Sequence, residues 1–241
     1  MPTAAVIVIG NEILSGKFGD ENGPYLIRRL REIGVDLRRI VVIPDTIDGI
    51  AKEVRSAARG FDHVFTTGGV GPTHDDLTFP GIAAAFDRPL ERHPDLVRVL
   101  KAHYKGPLTE AAWRMAEIPA GAELWWDGDI FYPLVVISNV VVFPGVPSLV
   151  RMKFEAVAHR FGGQPILARR LVTQLTEPEI AAALTDASER WPAVAIGSYP
   201  RFDTSPHTVI LTMEGRDLYA LDACEAWLKE RIPGESASGP V

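Results

Sequence analysis

Three short β-branched runs, each closing on a tight polar or glycine-rich turn, set the strongest limit on what this chain can fold into. Residues 4–9 end at Gly10, residues 35–43 run into Pro44-Asp45, and residues 63–66 run into Thr67-Gly68-Gly69. Between them stand two stretches of helical spacing. The first opens at Asn22-Gly23-Pro24, with proline where a first turn tolerates it. It carries Leu26, Leu30 and Ile33 on one stripe and stops at Gly34. The second opens at Asp45-Thr46, presents Ile47, Ile50, Val54 and Ala57 as its inner face, and ends at Gly60. This β-α-β-α-β alternation predicts an α/β fold with a mainly parallel sheet covered by helices.

Further helices are expected at 77–86, 94–103 and 109–115, and residues 147–161 are again amphipathic. The runs 135–137 and 140–143 flank Ser138-Asn139 as a hairpin. Gly162-Gly163-Gln164-Pro165 is the best candidate for a domain boundary. Beyond it, segments 166–173, 178–190, 194–199, 208–213 and 218–232 alternate as β-α-β-β-α, a small α+β subdomain. Its expected core is Leu167, Leu171, Ala181, Leu184, Ile196, Ile210 and Leu221. The chain thus reads as an α/β domain over 1–162, a subdomain over 163–233 and a small, polar tail over 234–241, expected to be disordered.

Composition narrows the function classes. The 241 residues are 46% hydrophobic and 23% charged, which suits an ordinary soluble domain with a real core. A net charge of -6 argues against nucleic-acid or acidic-membrane partners. The single cysteine, Cys224, excludes an internal disulfide and a cysteine-rich zinc site; Leu221, Trp227 and Leu228 recur around it at helical spacing, as for a packing residue. The N-terminus has no basic segment and only a short apolar run, unlike a signal peptide. The most apolar region, 131–150, is broken by Pro133, Ser138-Asn139, Pro144 and Pro147, so no membrane span is expected and a cytoplasmic location is the default.

The loop TTGGVGPTHDDLT, residues 66–78, follows the third run. In an open parallel sheet, ligands sit at the carboxyl ends of the strands. Gly68, Gly69 and Gly71 can expose successive backbone N–H groups to an anion without a Cβ in the way. Asp75 and Asp76 would repel a phosphate on their own, but could hold a hard divalent cation such as Mg²⁺, which in turn holds phosphate oxygens. Gly10-Asn11-Glu12 and Asp45 fall at the ends of the first two runs, so Glu12, Asp45, Asp75 and Asp76 are expected to converge. Structural roles are open to each of them. Asp75-Asp76 would cap the next helix, Asp45 would cap the helix it precedes, and Glu12 would be solvated. His74 suits a loop hydrogen bond better than a general base. The loop is neither a Walker motif nor GxGxxG. Pro144-Gly145 and Ser148, in FPGVPS at 143–148, either make a tight turn or present a helix N-terminus to a second phosphate. Trp125-Trp126 and Phe131-Tyr132 serve either packing or ring stacking.

These residues resemble a known family. GNEILSG at 10–16, Asn22, PDT at 44–46, TTGGVGPTHDDLT at 66–78, IPAGA at 118–122 and FPGVP at 143–147 occur in the order seen in molybdopterin-binding-like domains. The chain resembles those of competence/damage-inducible protein A and of eukaryotic FAD synthases. The resemblance covers about residues 4 to 160, and IGSYPRF at 196–202 extends it toward the FAD synthase group. It implies a three-layer α/β/α fold and a site for a phosphorylated pterin (molybdopterin) or a nucleotide. It also implies a metal-dependent pyrophosphatase of ADP-ribose or FAD type, a molybdopterin-handling protein of molybdenum-cofactor biosynthesis, or a binding module without turnover. Glu12, Asp75 and Asp76 would be ligands of Mg²⁺ or a transition metal, with Asn11 and Asp45 beside them on the catalytic side. Gly68, Gly69, Gly71, Thr73, Pro144 and Gly145 would line the ligand, and the motif positions Gly10, Asn22, Thr67, Thr78 and Ser148 are expected with them. A homo-oligomer, dimer or trimer, is expected. Three departures stand out: Asn11 where many members have Asp, Leu149 where glutamate is usual, and WWDGDIFYP at 125–133 in place of an Asn-Pro-x-Gly-Thr-Ala segment. Neither an amidohydrolase nor an adenylyltransferase domain is recognised, so neither activity is expected.

Overall fold

A computed structural model describes residues 1–104, 106–128, 131–202 and 208–236. The chain divides into two compact units, Met1–Gly163 and Gln164–Val241. The first contains β1 (Thr3–Ile9), α1 (Asn11–Leu14), α2 (Asn22–Glu32), β2 (Asp36–Ile43), α3 (Ile47–Gly60), β3 (His63–Thr67), α4 (Thr78–Ala85), β4 (Leu90–Arg92), α5 (Pro94–His103) and α6 (Glu110–Arg114). It continues through β5 (Glu117–Pro119), β6 (Glu123–Trp125), β7 (Leu134–Ile137), β8 (Val140–Phe143) and α7 (Pro147–Val157), which tightens into a 3₁₀ turn at Ala158–Arg160. Six strands form one sheet in the order β2-β1-β3-β8-β7-β6. The first four are parallel, and β7 pairs antiparallel with both β8 and β6.

The sheet is covered on both sides, which is why β1 reads as an unbroken apolar run instead of an alternating one. Ala5, Ile7 and Ile9 pack with Ile50, Val54 and Ala57 of α3, Ile82 of α4, and Leu96 and Leu100 of α5. Ala4, Val6 and Val8 pack the other way, with Leu26 and Leu30 of α2 and Val150 and Phe154 of α7. That second layer holds an aromatic cluster, with Phe65 edge-on to Phe161 at 4.9 Å and to Phe154 at 6.1 Å. Truncating any one of these buried rings to alanine costs about 3–5 kcal/mol. The expected hairpin is present: Ser138 takes φ +55, and Asn139 donates from its amide to Ala58 O at 3.0 Å and Phe61 O at 2.7 Å. One expectation for this unit is corrected. Ile47 is 41% exposed, because it opens α3 at the solvent end; Ile50, Ala51, Val54 and Ala57 form the inner face.

The second unit contains β9 (Leu167–Thr173), α8 (Glu177–Arg190), β10 (Ala195–Arg201), β11 (Thr208–Gly215), α9 (Leu218–Lys229) and β12 (Glu235–Ser236). Its antiparallel sheet has the order β10-β11-β9-β12. Leu171, Val209, Leu211 and Met213 face Ile180, Ala187, Leu221, Cys224 and Leu228. Two expected core residues are therefore displaced. Ile210 lies one residue out of phase with the buried face of β11, and Ala181 lies beside Ile180 on the exposed side of α8. Cys224 is fully buried and its thiol is pushed up to about 11, the state of a packing residue. The expected disorder from 234 onward is also corrected. Residues 235 and 236 pair with Val172 and Leu171, and Thr173 donates to Pro233 O at 2.6 Å; residues 237–241 lie outside the described residues. Among the described residues no helix is long and apolar enough to cross a membrane.

Candidate functional site

The strand order places a switch point between β1 and β3, since the chain leaves β1 for β2 on one side and returns to β3 on the other. Crevices of this kind, at the carboxyl ends of parallel strands, are where open α/β sheets take ligands. Gly10, Asp45, Gly68-Gly69 and Pro144-Gly145 follow directly after β1, β2, β3 and β8. Gly68 has φ +103, and a Cβ there would stand 2.0 Å from Ile9 O. Gly69 has φ +60, and its Cβ would meet Thr78 Oγ1 at 2.6 Å and Asp45 Oδ1 at 3.3 Å. Gly68 is therefore fixed by the backbone crossing itself, and Gly69 by its left-handed φ and the side chains of Thr78 and Asp45, beyond any need to admit a ligand.

A set of buried polar bonds locks this crossing. The Asn22 amide donates one hydrogen to Thr67 Oγ1 at 2.9 Å and the other to Gly145 O at 2.8 Å. Thr67 Oγ1 passes its own hydrogen to Pro144 O at 2.8 Å. Thr78 donates from Oγ1 to Gly68 O at 2.8 Å and from its backbone N–H to Gly69 O at 3.0 Å. Asn22, Thr67 and Thr78 thus hold the loops that carry the groups expected to face a ligand. Ser148 is exposed in the first turn of α7, whose N-cap residue, Val146, makes no side-chain cap.

The carboxylates do not serve as helix caps. The N-cap of α3 is Thr46, and that of α4 is Leu77; neither helix has a side-chain cap bond. Asp45 Oδ2 instead accepts from Asn11 N–H at 2.7 Å, across the ends of β2 and β1. The Glu12 carboxylate folds back over Gly10, where a Cβ would lie 2.7 Å from its Oε1. Burial holds the Asp45 carboxyl above the usual carboxylate range, and the charges of Glu12 and Asp75 raise it further against the Asn11 bond. Glu12 and Asp75 are thereby close enough to act on Asp45. Asp75 lies below its ordinary value because Thr73 donates to it. Thr73 Oγ1 is within bonding distance of Asp75 Oδ1, at 2.6 Å, and of Asp76 Oδ2. The single hydroxyl proton serves one of them at a time. Thr73 N–H secures Asp76 Oδ2 at 2.8 Å, and Gly71, lacking a Cβ, lets that carboxylate close over it. Among the described residues no three His, Cys, Asp or Glu side chains close into a group that would hold a metal, so any such site is not preassembled. His74 is exposed, 3.8 Å from Asp75.

On its other side the same loop borders a cavity of about 220 Å³. Gly71, Thr73, His74 and Asp76 form one wall, Val70, Leu77, Phe79, Pro80 and Leu90 the apolar lining, and Arg114 and Glu117 the far side. Sequence reasoning missed Arg114, which ends a five-residue helix with no motif to mark it. The aromatic segment packs in part: Trp125 and Tyr132 do, whereas Trp126 is 45% and Phe131 46% exposed, the latter against His103. Trp125 lies under the Arg160 guanidinium at 4.5 Å, and the Tyr132 hydroxyl donates to Met115 O. Lys153, buried on α7, donates to Tyr132 O, and burial pushes its ammonium down to about 8. Residues 129 and 130 of this segment lie outside the described residues.

Residues 5–168 match the family model described as a probable molybdopterin binding domain, and residues 165–240 match that of the middle domain of FAD synthase. A probable FAD synthase from Caenorhabditis elegans is 34% identical over 96% of this chain, which spans 50% of that protein's length. An Archaeoglobus fulgidus protein is 35% identical over 88% of this chain and 90% of its own. Among solved structures, the protein CinA of unknown function from Thermoplasma acidophilum superposes with a TM-score of 0.62 at 30% identity, over 66% of this chain and 98% of its own. The chain belongs to the molybdopterin-binding-domain family, in the form that carries a FAD synthase middle domain after it.

Proposed function

We propose that the strand-end cluster hydrolyses the phosphoanhydride of a nucleotide of FAD or ADP-ribose type, with a divalent cation as cofactor. The observation that carries this reading is the meeting of acids at the switch point: Asp45 Oδ2 accepts from Asn11 N–H at 2.7 Å, its Oδ1 stands against Gly69, and the Glu12 carboxylate folds over Gly10, an arrangement in which burial and the charges of Glu12 and Asp75 raise the Asp45 carboxyl. Mutual repulsion among carboxylates at one sheet edge costs stability, and proteins keep such an arrangement where it has chemistry to perform. The donors are all hard oxygens, which suits Mg²⁺ or a similar cation. Glu12, Asp75 and Asp76 would hold it, with Asp45 beside them. When bound, it supplies neutralisation of the diphosphate and polarisation of its oxygens. Asn11 N–H fixes Asp45 Oδ2, and Oδ1 lies on the Gly69 side, where it would take the proton of a water that attacks one phosphorus as the anhydride P–O bond breaks and the other phosphate leaves. Backbone N–H groups of the 68–73 loop meet the developing negative charge.

A second reading, binding of a pterin or nucleotide without turnover, is favoured by the absence of a closed metal group among the described residues. The description of the matching family model supports a pterin as that ligand. A panel of FAD, ADP-ribose, NAD and coenzyme A, each with Mg²⁺, Mn²⁺ or EDTA, separates the two. Turnover that EDTA abolishes, and that Asp76→Asn also abolishes with an unchanged circular dichroism spectrum, supports hydrolysis. Binding of the panel without turnover supports the second reading.

A further inference from the structure

The cavity beside the loop is not needed to hold a diphosphate, and its chemistry is that of a different ligand part. Its two acids already have partners: Asp76 accepts from Thr73 N–H, and Glu117 accepts from Arg92 at 2.9 Å. The Arg114 guanidinium, by contrast, has no hydrogen bond or ion pair among the described residues. The far wall therefore offers one uncommitted donor group, a planar guanidinium fork that stacks on rings or grips paired acceptors, beside the second oxygen of Glu117 as an acceptor. The rest of the lining is apolar, from Val70, Leu77, Phe79, Pro80 and Leu90. At about 220 Å³ the space is below the roughly 300–1,000 Å³ of pockets that enclose whole drug-sized ligands, so it takes one fragment.

We propose that this cavity seats the planar nitrogen heterocycle of the ligand, packed on Phe79 and Leu90 with its acceptor edge on Arg114, while the phosphates lie across the loop at the strand ends. Thr73 and Asp76 belong to both sides, so one ligand can span them. The inference rests on the proposed phosphate site. It extends that reading by assigning a separate subsite to the ring, with Arg114 as a specificity-determining residue.

The ring has two chemical sources, a purine or a pterin, and the test distinguishes them. Calorimetry with Mg²⁺ present measures three probes: inorganic pyrophosphate, ADP and pterin-6-carboxylate. Each is titrated into the full chain, into Arg114→Gln and into Leu90→Trp, which fills the cavity from a position 38% exposed and so leaves the core intact. The expected result is that at least one ring probe loses about 10-fold or more in affinity in both variants, equivalent to about 1.4 kcal/mol. Pyrophosphate keeps its wild-type affinity within about 3-fold. Loss for ADP identifies a purine, and loss for the pterin alone identifies a pterin. Wild-type affinity for every probe in both variants overturns the subsite while leaving the phosphate site standing. An equal loss for all three probes also overturns it. If the wild-type chain binds none of the three, the phosphate reading itself fails, and the subsite with it.

Discussion

Replacing Asn22 by alanine tests the scaffold on which the whole site depends. The amide is 7% exposed and both of its hydrogens are committed, one to Thr67 Oγ1 at 2.9 Å and one to Gly145 O at 2.8 Å. Each lost bond is worth about 0.5–1.5 kcal/mol net, and an acceptor left dry adds about 1–3 kcal/mol. The sum is about 2–4 kcal/mol, allowing for partial relaxation of the two loops. For a unit of this size that lowers the melting temperature by roughly 4–16 °C. Asn22→Asp sharpens the test. It keeps the shape but sets a carboxylate oxygen against Gly145 O and competes for the hydroxyl proton that Thr67 gives to Pro144 O. The expected order of stability is wild type, then alanine, then aspartate, read from urea unfolding followed by tryptophan fluorescence. Phosphate affinity falls in the same order, because the loops after β3 and β8 are no longer tied. An aspartate variant as stable as wild type would refute the assignment of a donor to this position, and with it the clamp.

Three further outcomes follow from the buried charges and the domain division. Asp45→Asn preserves an acceptor for Asn11 N–H but removes a carboxyl that is harder to ionise folded than unfolded. The folded state then binds the extra proton, so wild-type stability declines as pH rises above the ordinary aspartate range. The variant should be the more stable of the two at pH 7, should lose that advantage in acid, and should be inactive; urea midpoints across pH check the sign. Lys153 shows the opposite slope. Its ammonium is pushed down to about 8 by burial, so stability rises between about pH 8 and 10.5. Lys153→Met should abolish that rise, worth up to about 3 kcal/mol, in the same measurement. Finally, residues 1–163 should be soluble and cooperatively folded alone, since two hydrophobic clusters lie wholly within that unit and the third wholly beyond it. Molten protein by near-ultraviolet circular dichroism would contradict this.

Elements whose apolar pattern is decided by burial were legible in the sequence. The runs that became β1 and β3 and the stripes of α2 and α3 reported the layers directly, because a two-sided sheet demands continuous apolar strands in its interior and one-sided helices, whereas the edge strand β2 keeps Asp36, Arg38 and Arg39. The short strands were not. β4, β5 and β6 are three residues each and β12 is two, and they pair through backbone hydrogen bonds that accept almost any side chain. The face of β11 was ambiguous for a related reason: Val209, Ile210 and Leu211 are all apolar, so periodicity could not separate the buried pair from Ile210. At the site, the glycines and carboxylates announced themselves by type and position. The roles of Asn22, Thr67 and Thr78 as framework did not, because a committed amide and a free one look alike in sequence. Arg114 was invisible for the converse reason, since its interest lies in having no partner.

The pairing of β3 with β8 also fixes when the site comes into being. Val64 to Thr67 lie against Val140 to Phe143, and the Asn22 clamp reaches Gly145 across 123 positions. Closing so long a loop loses chain entropy before any contact rewards it, which places such pairings late on the folding path. During synthesis, β1, β2 and β3 can assemble while everything after them is still unmade. Throughout that interval the open edge of β3 is exposed, with Phe65 and the glycine turn uncovered, as a template on which another nascent chain can add a strand. The last strand to enter the parallel layer therefore does two things at once: it closes the most adhesive edge of the intermediate and completes the switch-point crevice. Conditions that slow that step should reduce yield and ligand-binding competence together.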